Sequence, residues 1–353
     1  MRILVVHPGP NFSVADVHDG WVEALRGLGC EVASFNSDDR IQFYGHALIS
    51  TGDVDETGHP LVRRAMSDAD ALRMAMQGIS HACLSMWPDV VLFVSGFFVT
   101  PGVMALLQSR KMKVVLLATE SPYQEKMQLE RAQCSDLTLL NDPVNIEQYR
   151  SLGVTTEYAP HAYRPAVHYP RSPHEPVVPD LNADLAFIGT GFTSRIEFFE
   201  RMDMKGLDVL LGGCWPLAKH SPLRQYMGHD IEECVPNYEA AEVYRNAKCG
   251  INFYRREYDD ADDAADAVPW AMGPREVEQA ACGMFYLRDP RAEGDEVLDM
   301  LPTFSGPEEA GEQLRWWLAH DGERDRAALK AREAIADRTF TSNAKRLLEL
   351  LED

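Results

Sequence analysis

Short, nearly continuous apolar runs alternate with amphipathic stretches along this chain, and that alternation predicts its elements. Ile3-Leu4-Val5-Val6 forms the first run and predicts a buried strand. The turn residues His7-Pro8-Gly9-Pro10-Asn11 follow, and then a segment that places Val17, Trp21, Leu25 and Leu28 on one helical face, with Gly29 as its C-cap. Glu31-Val32-Ala33-Ser34-Phe35 predicts a second strand, and beyond a polar stretch the pattern predicts one helix from about Pro60 to Met86. Residues 88–96 and 113–119 are apolar almost throughout, as strands covered on both faces must be, and 137–142 and 157–161 predict two more. Strand, loop and helix recurring in that order give an α/β domain with a parallel sheet.

Prolines then fall at 160, 165, 170, 173, 176 and 179, where helical periodicity fades. Proline fixes φ and removes a donor, so this stretch reads as a stiff connector outside any sheet. Past it the pattern restarts. Asp184-Leu185-Ala186-Phe187-Ile188 leads into Gly189-Thr190-Gly191, with Ser194 and Glu197 spaced as a capping box. Residues 209–215 predict a strand and turn, Val235-Pro236-Asn237-Tyr238 opens a helix, and Cys249 begins a strand that reaches Asn252. A short helix begins at Pro274 and ends before Gly283, and an apolar run follows it. Ser305 and Glu308 predict another cap, an alanine-rich helix runs through Ala336, and Thr339-Phe340-Thr341 introduces Leu347, Leu348 and Leu351. The resulting division is a first Rossmann-like domain over 1–165, a proline-rich linker over 166–181, a second Rossmann-like domain over 182–336 and a terminal helix over 337–353.

Composition changes this picture in two ways. The chain has 353 residues, more than one core usually serves, and is 45% hydrophobic and 25% charged, as globular proteins are. Its 34 Lys and Arg against 55 Asp and Glu give a net charge of −21, which opposes non-specific binding to nucleic acid or to an anionic membrane. Any phosphate must therefore be bound locally. Seven cysteines, an odd number without metal-site or redox-motif spacing, predict reduced thiols in a cytoplasmic protein, and no apolar run approaches membrane-spanning length. The acidic run 257–266 lacks the spacing of a calcium loop and joins no His or Cys, so it reads as a solvated loop, and no metal site is expected.

Candidate chemistry gathers in the second domain. Gly189 and Gly191 would let the backbone approach a ligand, and the free N–H groups of that loop with Arg195 could hold a pyrophosphate. The helix beginning at Pro274 presents its first turn to an anion, with Arg275 there and Glu278 on the same face. Spacing alone also allows those two to be an i,i+3 surface pair. In the first domain Gly9 walls the loop after the first strand, and His7, His18 and Asp16 could supply a general base, capping being the other reading of Asp16.

The string Arg275-x-x-Glu278-x-x-Ala281-Cys282-Gly283, preceded by the strand ending at Asn252, resembles the C-terminal half of CgeB-like, spore-maturation type glycosyltransferases, with their family 1-like C-terminal domain. The resemblance implies a GT-B fold, two Rossmann-like domains facing across a cleft, with a nucleoside diphosphate sugar, guessed as a UDP-sugar, as donor. It implies that Glu278 binds the ribose and that Arg275 and Arg195 meet the diphosphate without a metal. It also implies that Val235 lies against the nucleobase, that Glu120 reaches an acceptor, and that the terminal helix packs back across the first domain, while Asn252 either orients a phosphate or a loop or is a hydrogen-bonded structural Asn. Trp270 stands eight positions before Glu278, where retaining members carry a Glu, so their Glu pair is incomplete here. The function expected is transfer of a sugar to an acceptor that is a protein, a glycan, a small molecule or a base. A nucleotide-sugar epimerase and a non-catalytic sugar-nucleotide or glycan-binding module are the alternatives.

Overall fold

The computed structural model describes residues 1–10, 12–172, 174–257 and 268–352, so most of the acidic run lies outside the described residues. The chain divides into two compact units, 1–159 and 160–353.

In the first unit the strands are β1 (Arg2–Val6), β2 (Glu31–Phe35), β3 (Leu48–Val54), β4 (Pro60–Arg64), β5 (Val90–Val94), β6 (Lys113–Ala118), β7 (Leu137–Leu140) and β8 (Thr156–Tyr158). Its helices are α1 (Phe12–Gly27), α2 (Ser37–Gly45), α3 (Asp68–Met86), α4 (Pro101–Ser109), α5 (Glu125–Ala132) and α6 (Ile146–Ser151). Six strands pair in the order β2-β1-β5-β6-β7-β8, each adjacent pair parallel. Every residue of β5 and β7 is buried, which is why those segments read as unbroken apolar runs.

One long expected element breaks in two. The helix predicted from Pro60 to Met86 is instead the strand β4 followed by α3, which Ser67 caps by accepting from the N–H of Asp70. The polar stretch before it holds α2 and β3. β3 and β4 form an antiparallel hairpin whose turn is tied by Asp55, which accepts from Thr57 N at 2.8 Å and from His59 N at 3.0 Å. That hairpin is exposed along both strands, so it carries none of the burial pattern that periodicity detects.

The second unit contains β9 (Leu185–Ile188), α7 (Thr193–Arg201), β10 (Val209–Gly212), α8 (Asn237–Asn246), β11 (Cys249–Asn252), α9 (Pro274–Ala281) and β12 (Phe285–Arg288). It ends in α10 (Ala292–Val297), α11 (Pro307–Leu318), α12 (Asp321–Ala334) and α13 (Phe340–Glu352). Its sheet is parallel, in the order β10-β9-β11-β12. Trp215, fully buried among Phe187 and Phe199, belongs to the core, and its Nε1 donates to Gly212 O at 3.1 Å.

The proline-rich stretch falls inside this second unit and is bonded to it. Arg245 Nη1 donates to Val167 O at 2.7 Å, and Val178 N donates to Asn246 Oδ1 at 2.9 Å, so α8 holds it at both places. The stretch expected as a stiff connector thus runs as a strap along the second unit, outside its sheet. Tyr163 pairs with Thr339, and Asn343 of α13 donates to Pro160 O at 2.8 Å. One predicted cap also changes. Gly306 precedes α11, while Ser305 donates to Glu309 rather than bonding Glu308.

Both sheets reverse their winding at a defined place, and in parallel sheets ligands bind outside the strand ends at such a reversal. In the first unit it lies between β1 and β5. In the second it lies between β9 and β11.

Arg131, on α5, builds the reversal of the first unit. Its Nε donates to Gly96 O at 2.7 Å and Val99 O at 3.1 Å, its Nη2 to Phe97 O at 2.7 Å and its Nη1 to Met127 O at 2.8 Å. Replacing Arg131→Met strands the buried carbonyls of Gly96 and Val99, and we expect a loss of at least about 2 kcal/mol in urea unfolding followed by circular dichroism.

Candidate functional site

The second unit's reversal point is filled by one side chain. Arg275 stands in the first turn of α9, half-buried, and reaches back to the strand ends. Its Nε donates to Ile188 O at 2.6 Å, where β9 ends, and its Nη1 donates to Asn252 Oδ1 at 3.0 Å, where β11 ends. The guanidinium carbon lies 4.7 Å from the centre of the Phe187 ring. Gly189 makes this possible. Its φ is +156°, and a Cβ there would overlap the Arg275 guanidinium.

Both glycines of this loop lie against side chains. Gly189 admits Arg275, and a Cβ at Gly191 would run into the Trp215 ring, so both make room for protein. The loop's N–H groups are also mostly spent. Gly189 N bonds Gly212 O and Gly191 N bonds Cys214 O, each at 2.8 Å. Ser194, expected in a capping box with Glu197, instead gives its N–H to Glu257 Oε1 at 2.8 Å and its hydroxyl to Glu257 Oε2 at 3.1 Å. Burial raises the pKa of that carboxyl, but the bonds from Ser194 together with the backbone N–H groups of Glu257 and Arg256 hold it below the usual range. A carboxylate at the start of α7 complements the helix dipole.

Arg195 is tied to backbone on two sides. It is 7% exposed, and it donates from Nε to Phe253 O at 3.0 Å and from Nη1 to Thr190 O at 2.9 Å. Burial and these bonds make it a brace between the loop and the segment after β11.

Glu278 lies half-buried one turn beyond Arg275, and its Oε1 accepts from Asn237 Nδ2 at 3.1 Å. Burial drives the Tyr244 hydroxyl well above the usual phenol range, as does the nearby Glu278 charge, while a hydrogen bond with Arg275 opposes them. Tyr244 therefore stays neutral between the two charges. Asn252 is buried and orients Arg275 through Oδ1, while its Nδ2 has no hydrogen-bond partner. Val235 is half-buried just before α8 and packs beside Gly212.

A residue that sequence reasoning passed over sits directly beneath. Glu276 is fully buried, and its Oε2 accepts from Gly273 N at 2.8 Å and from the Tyr254 hydroxyl, while Oε1 has no partner. The spacing Gly273-x-x-Glu276 was the signal available for it, since a glutamate at the third helical position reaches back to the cap N–H. Burial pushes its pKa up from an ordinary 4.5 to about 7.

In the first unit His7 follows β1, and its Nδ1 accepts from Gly9 N at 3.1 Å. Burial, followed by the neighbouring His18, lowers its pKa. With Nδ1 accepting, neutral His7 carries its proton on Nε2 and presents a donor there. The His7 and His18 rings are 5.0 Å apart, and His18 is held by Asp19 at 3.0 Å and by Ser34 at 2.9 Å. Asp16 is buried on the same helix. Gly9 has φ +102° and faces the Phe98 ring. Glu120 follows β6, and its N–H donates to Gln128 Oε1 at 3.0 Å.

Residues 195–352 match a family model described as glycosyl transferase-like. No curated protein matches the sequence. An alpha-glucosyltransferase solved with UDP and a 13-mer DNA containing an HMU base shares 14% identity, with 100% of both chains covered and a TM-score of 0.61. HepE from Anabaena, solved with UDP-glucose, shares 10% identity over 100% of this chain and 99% of that one, at a TM-score of 0.61. A sucrose-phosphate synthase from Thermosynechococcus elongatus shares 12% identity, covering 100% and 98%, at 0.60. The fold is that of GT-B glycosyltransferases. A glycosyl transferase-like segment in a chain of this fold supports an enzyme of the glycosyltransferase kind. Among the described residues no helix is long and apolar enough to cross a membrane.

Glu276 generates a pH prediction. Its folded pKa is raised, so the native state holds this proton more tightly than the unfolded chain, and its contribution to stability falls as pH rises from about 4.5 through 7. Glu276→Gln keeps both acceptor contacts and removes the titration. Between pH 5 and pH 8 wild type should lose on the order of 2–3 kcal/mol relative to this variant, measured by urea unfolding across that range.

Proposed function

We propose that the second unit binds a nucleoside diphosphate sugar, read as a UDP-sugar, and that the enzyme transfers its sugar to an acceptor held by the first unit. The observation that carries this is the pairing of Arg275 and Glu278 on α9 at the reversal between β9 and β11. Arg275 is pinned there by Ile188 and Asn252, as a preorganised charge should be, and Glu278 keeps a carboxylate oxygen beyond the one Asn237 occupies. In this reading Arg275 and the first-turn N–H groups of α9 meet the diphosphate and stabilise it as the glycosidic bond breaks. Glu278 accepts from the ribose hydroxyls, and Val235 borders the base.

A forked guanidinium on a helix N-terminus supplies the positive charge that leaving diphosphate needs, so metal independence belongs to this proposal. The CgeB-like subtype also belongs to it, supported by the string from Arg275 to Gly283. On the first unit His7, His18, Asp16 and Glu120 are the candidates to contact acceptor, with His7 offering its Nε2 proton. Seven unpaired thiols fit a reducing, cytoplasmic compartment.

A thermal-shift screen against UDP, GDP, dTDP, CDP and ADP and their common sugars, run in EDTA, tests the donor reading. A ligand that binds only the native state raises the melting temperature by mass action. One nucleotide should give a clear rise in wild type, lost in Arg275→Ala and Glu278→Ala. A rise that needs added Mg²⁺ would overturn metal independence, and none with any nucleotide would overturn the donor site. Release of the free diphosphate with an acceptor present would identify transfer, whereas sugar interconversion without acceptor would make the enzyme an epimerase, and binding without turnover a binding module.

A further inference from the structure

Three hydrogen bonds line up behind Glu278, and their polarity can run only one way. Arg164 N lies 3.2 Å from His168 Nδ1, His168 Nε2 lies 2.7 Å from Asn237 Oδ1, and Asn237 Nδ2 lies 3.1 Å from Glu278 Oε1. A backbone N–H can only donate, so Nδ1 accepts and His168 carries its proton on Nε2. That proton is given to Asn237 Oδ1, which turns the amide NH₂ toward Glu278, where a carboxylate can only accept. Flipping the Asn237 amide would oppose donor to donor at His168 and acceptor to acceptor at Glu278. The chain therefore fixes a tautomer, an amide orientation and a carboxylate position together.

The strap supplies this chain. His168 is 2% exposed, and the turn that carries it is closed by His168 N on Arg164 O at 2.7 Å. Arg245 clamps the same turn to α8, through Val167 O and over the Tyr169 ring at 4.3 Å. Asn237, the first residue of α8, thus stands between a fixed histidine and the α9 carboxylate.

The geometry points to His168 and Asn237 as positioning residues for recognition of a nucleotide's ribose hydroxyls. Filling Oε1 of Glu278 from behind leaves Oε2 to accept from the sugar, in one rotamer and at no further ordering cost on binding. The inference rests on the ribose role proposed for Glu278, and it adds that the strap enforces that role.

The test compares affinity of the full chain for UDP and for 2′,3′-dideoxyuridine 5′-diphosphate by calorimetry, with melting curves to show that each variant is folded. Wild type should prefer UDP by about tenfold or more, the range of a charge-assisted hydrogen bond. In Asn237→Ala the preference should fall to about threefold or less while affinity for the dideoxy nucleotide holds. His168→Ala should lie between the two, and His168→Gln, which keeps one donor and one acceptor, should recover part of the loss. A folded Asn237→Ala with the full wild-type preference, alongside a Glu278→Ala that has lost it, overturns the relay and leaves the ribose role standing. A Glu278→Ala that keeps the preference, or a wild type that has none, overturns the ribose role and the relay with it.

Discussion

Everything at the second unit's reversal point depends on where the Arg275 guanidinium sits. A cation half out of water is costly unless hydrogen bonds replace its hydration. Here the end of β9 gives a carbonyl, the end of β11 gives an amide oxygen and Phe187 gives a ring face. Gly189 must be glycine for the guanidinium to lie there, and Asn252 must be buried for its oxygen to reach. Sheet, glycine loop and α9 are therefore tied by one charge, and that charge stands where parallel sheets receive ligands.

The ground under α9 is polar rather than apolar. Glu276 is surrounded by the Tyr254 hydroxyl and the Gly273 N–H, Tyr286 donates to the Glu276 carbonyl at 2.9 Å, and Arg291 lies 4.1 Å from the centre of the Tyr254 ring. Nearby, Glu293 takes the Met272 N–H at 2.8 Å and pairs with Arg338 at 2.6 Å. Buried networks of this kind seldom add net stability, because each ion gives up its hydration. Their yield is a fixed geometry, since few alternative packings satisfy every partner. A helix of eight residues gains that rigidity mostly from what it rests on.

The two units reach similar topology by different local means. At the first reversal point a buried arginine on α5 organises the loop after β5 by bonding carbonyls, and the groups left at the strand ends are imidazole and carboxyl. At the second, a braced Arg195 and a half-exposed Arg275 divide the work between them, one shaping the loop and the other facing outward. The first unit therefore offers proton donors and acceptors, and the second a fixed positive charge.

The sequence by itself determined the two parallel sheets, because strands buried on both faces must be apolar along their length and no other element leaves that mark. Arg275, Glu278 and Asn252 drew notice through the resemblance of their string to a family, because spacing alone left Arg275 and Glu278 readable as a surface pair. The sequence did not reveal the exposed hairpin of β3 and β4, which buries too little to leave a period. Packing also chose the acceptors of Arg195, because spacing does not foretell Phe253 O and Thr190 O as its partners. Glu276 was passed over because a charged residue gives no sign of burial until its neighbours close over it. Only tertiary structure could set His168 against Asn237, 69 positions away, or Asn237 against Glu278, 41 away. Periodicity records which side of an element is buried, whereas a hydrogen-bond partner across the fold is chosen by packing.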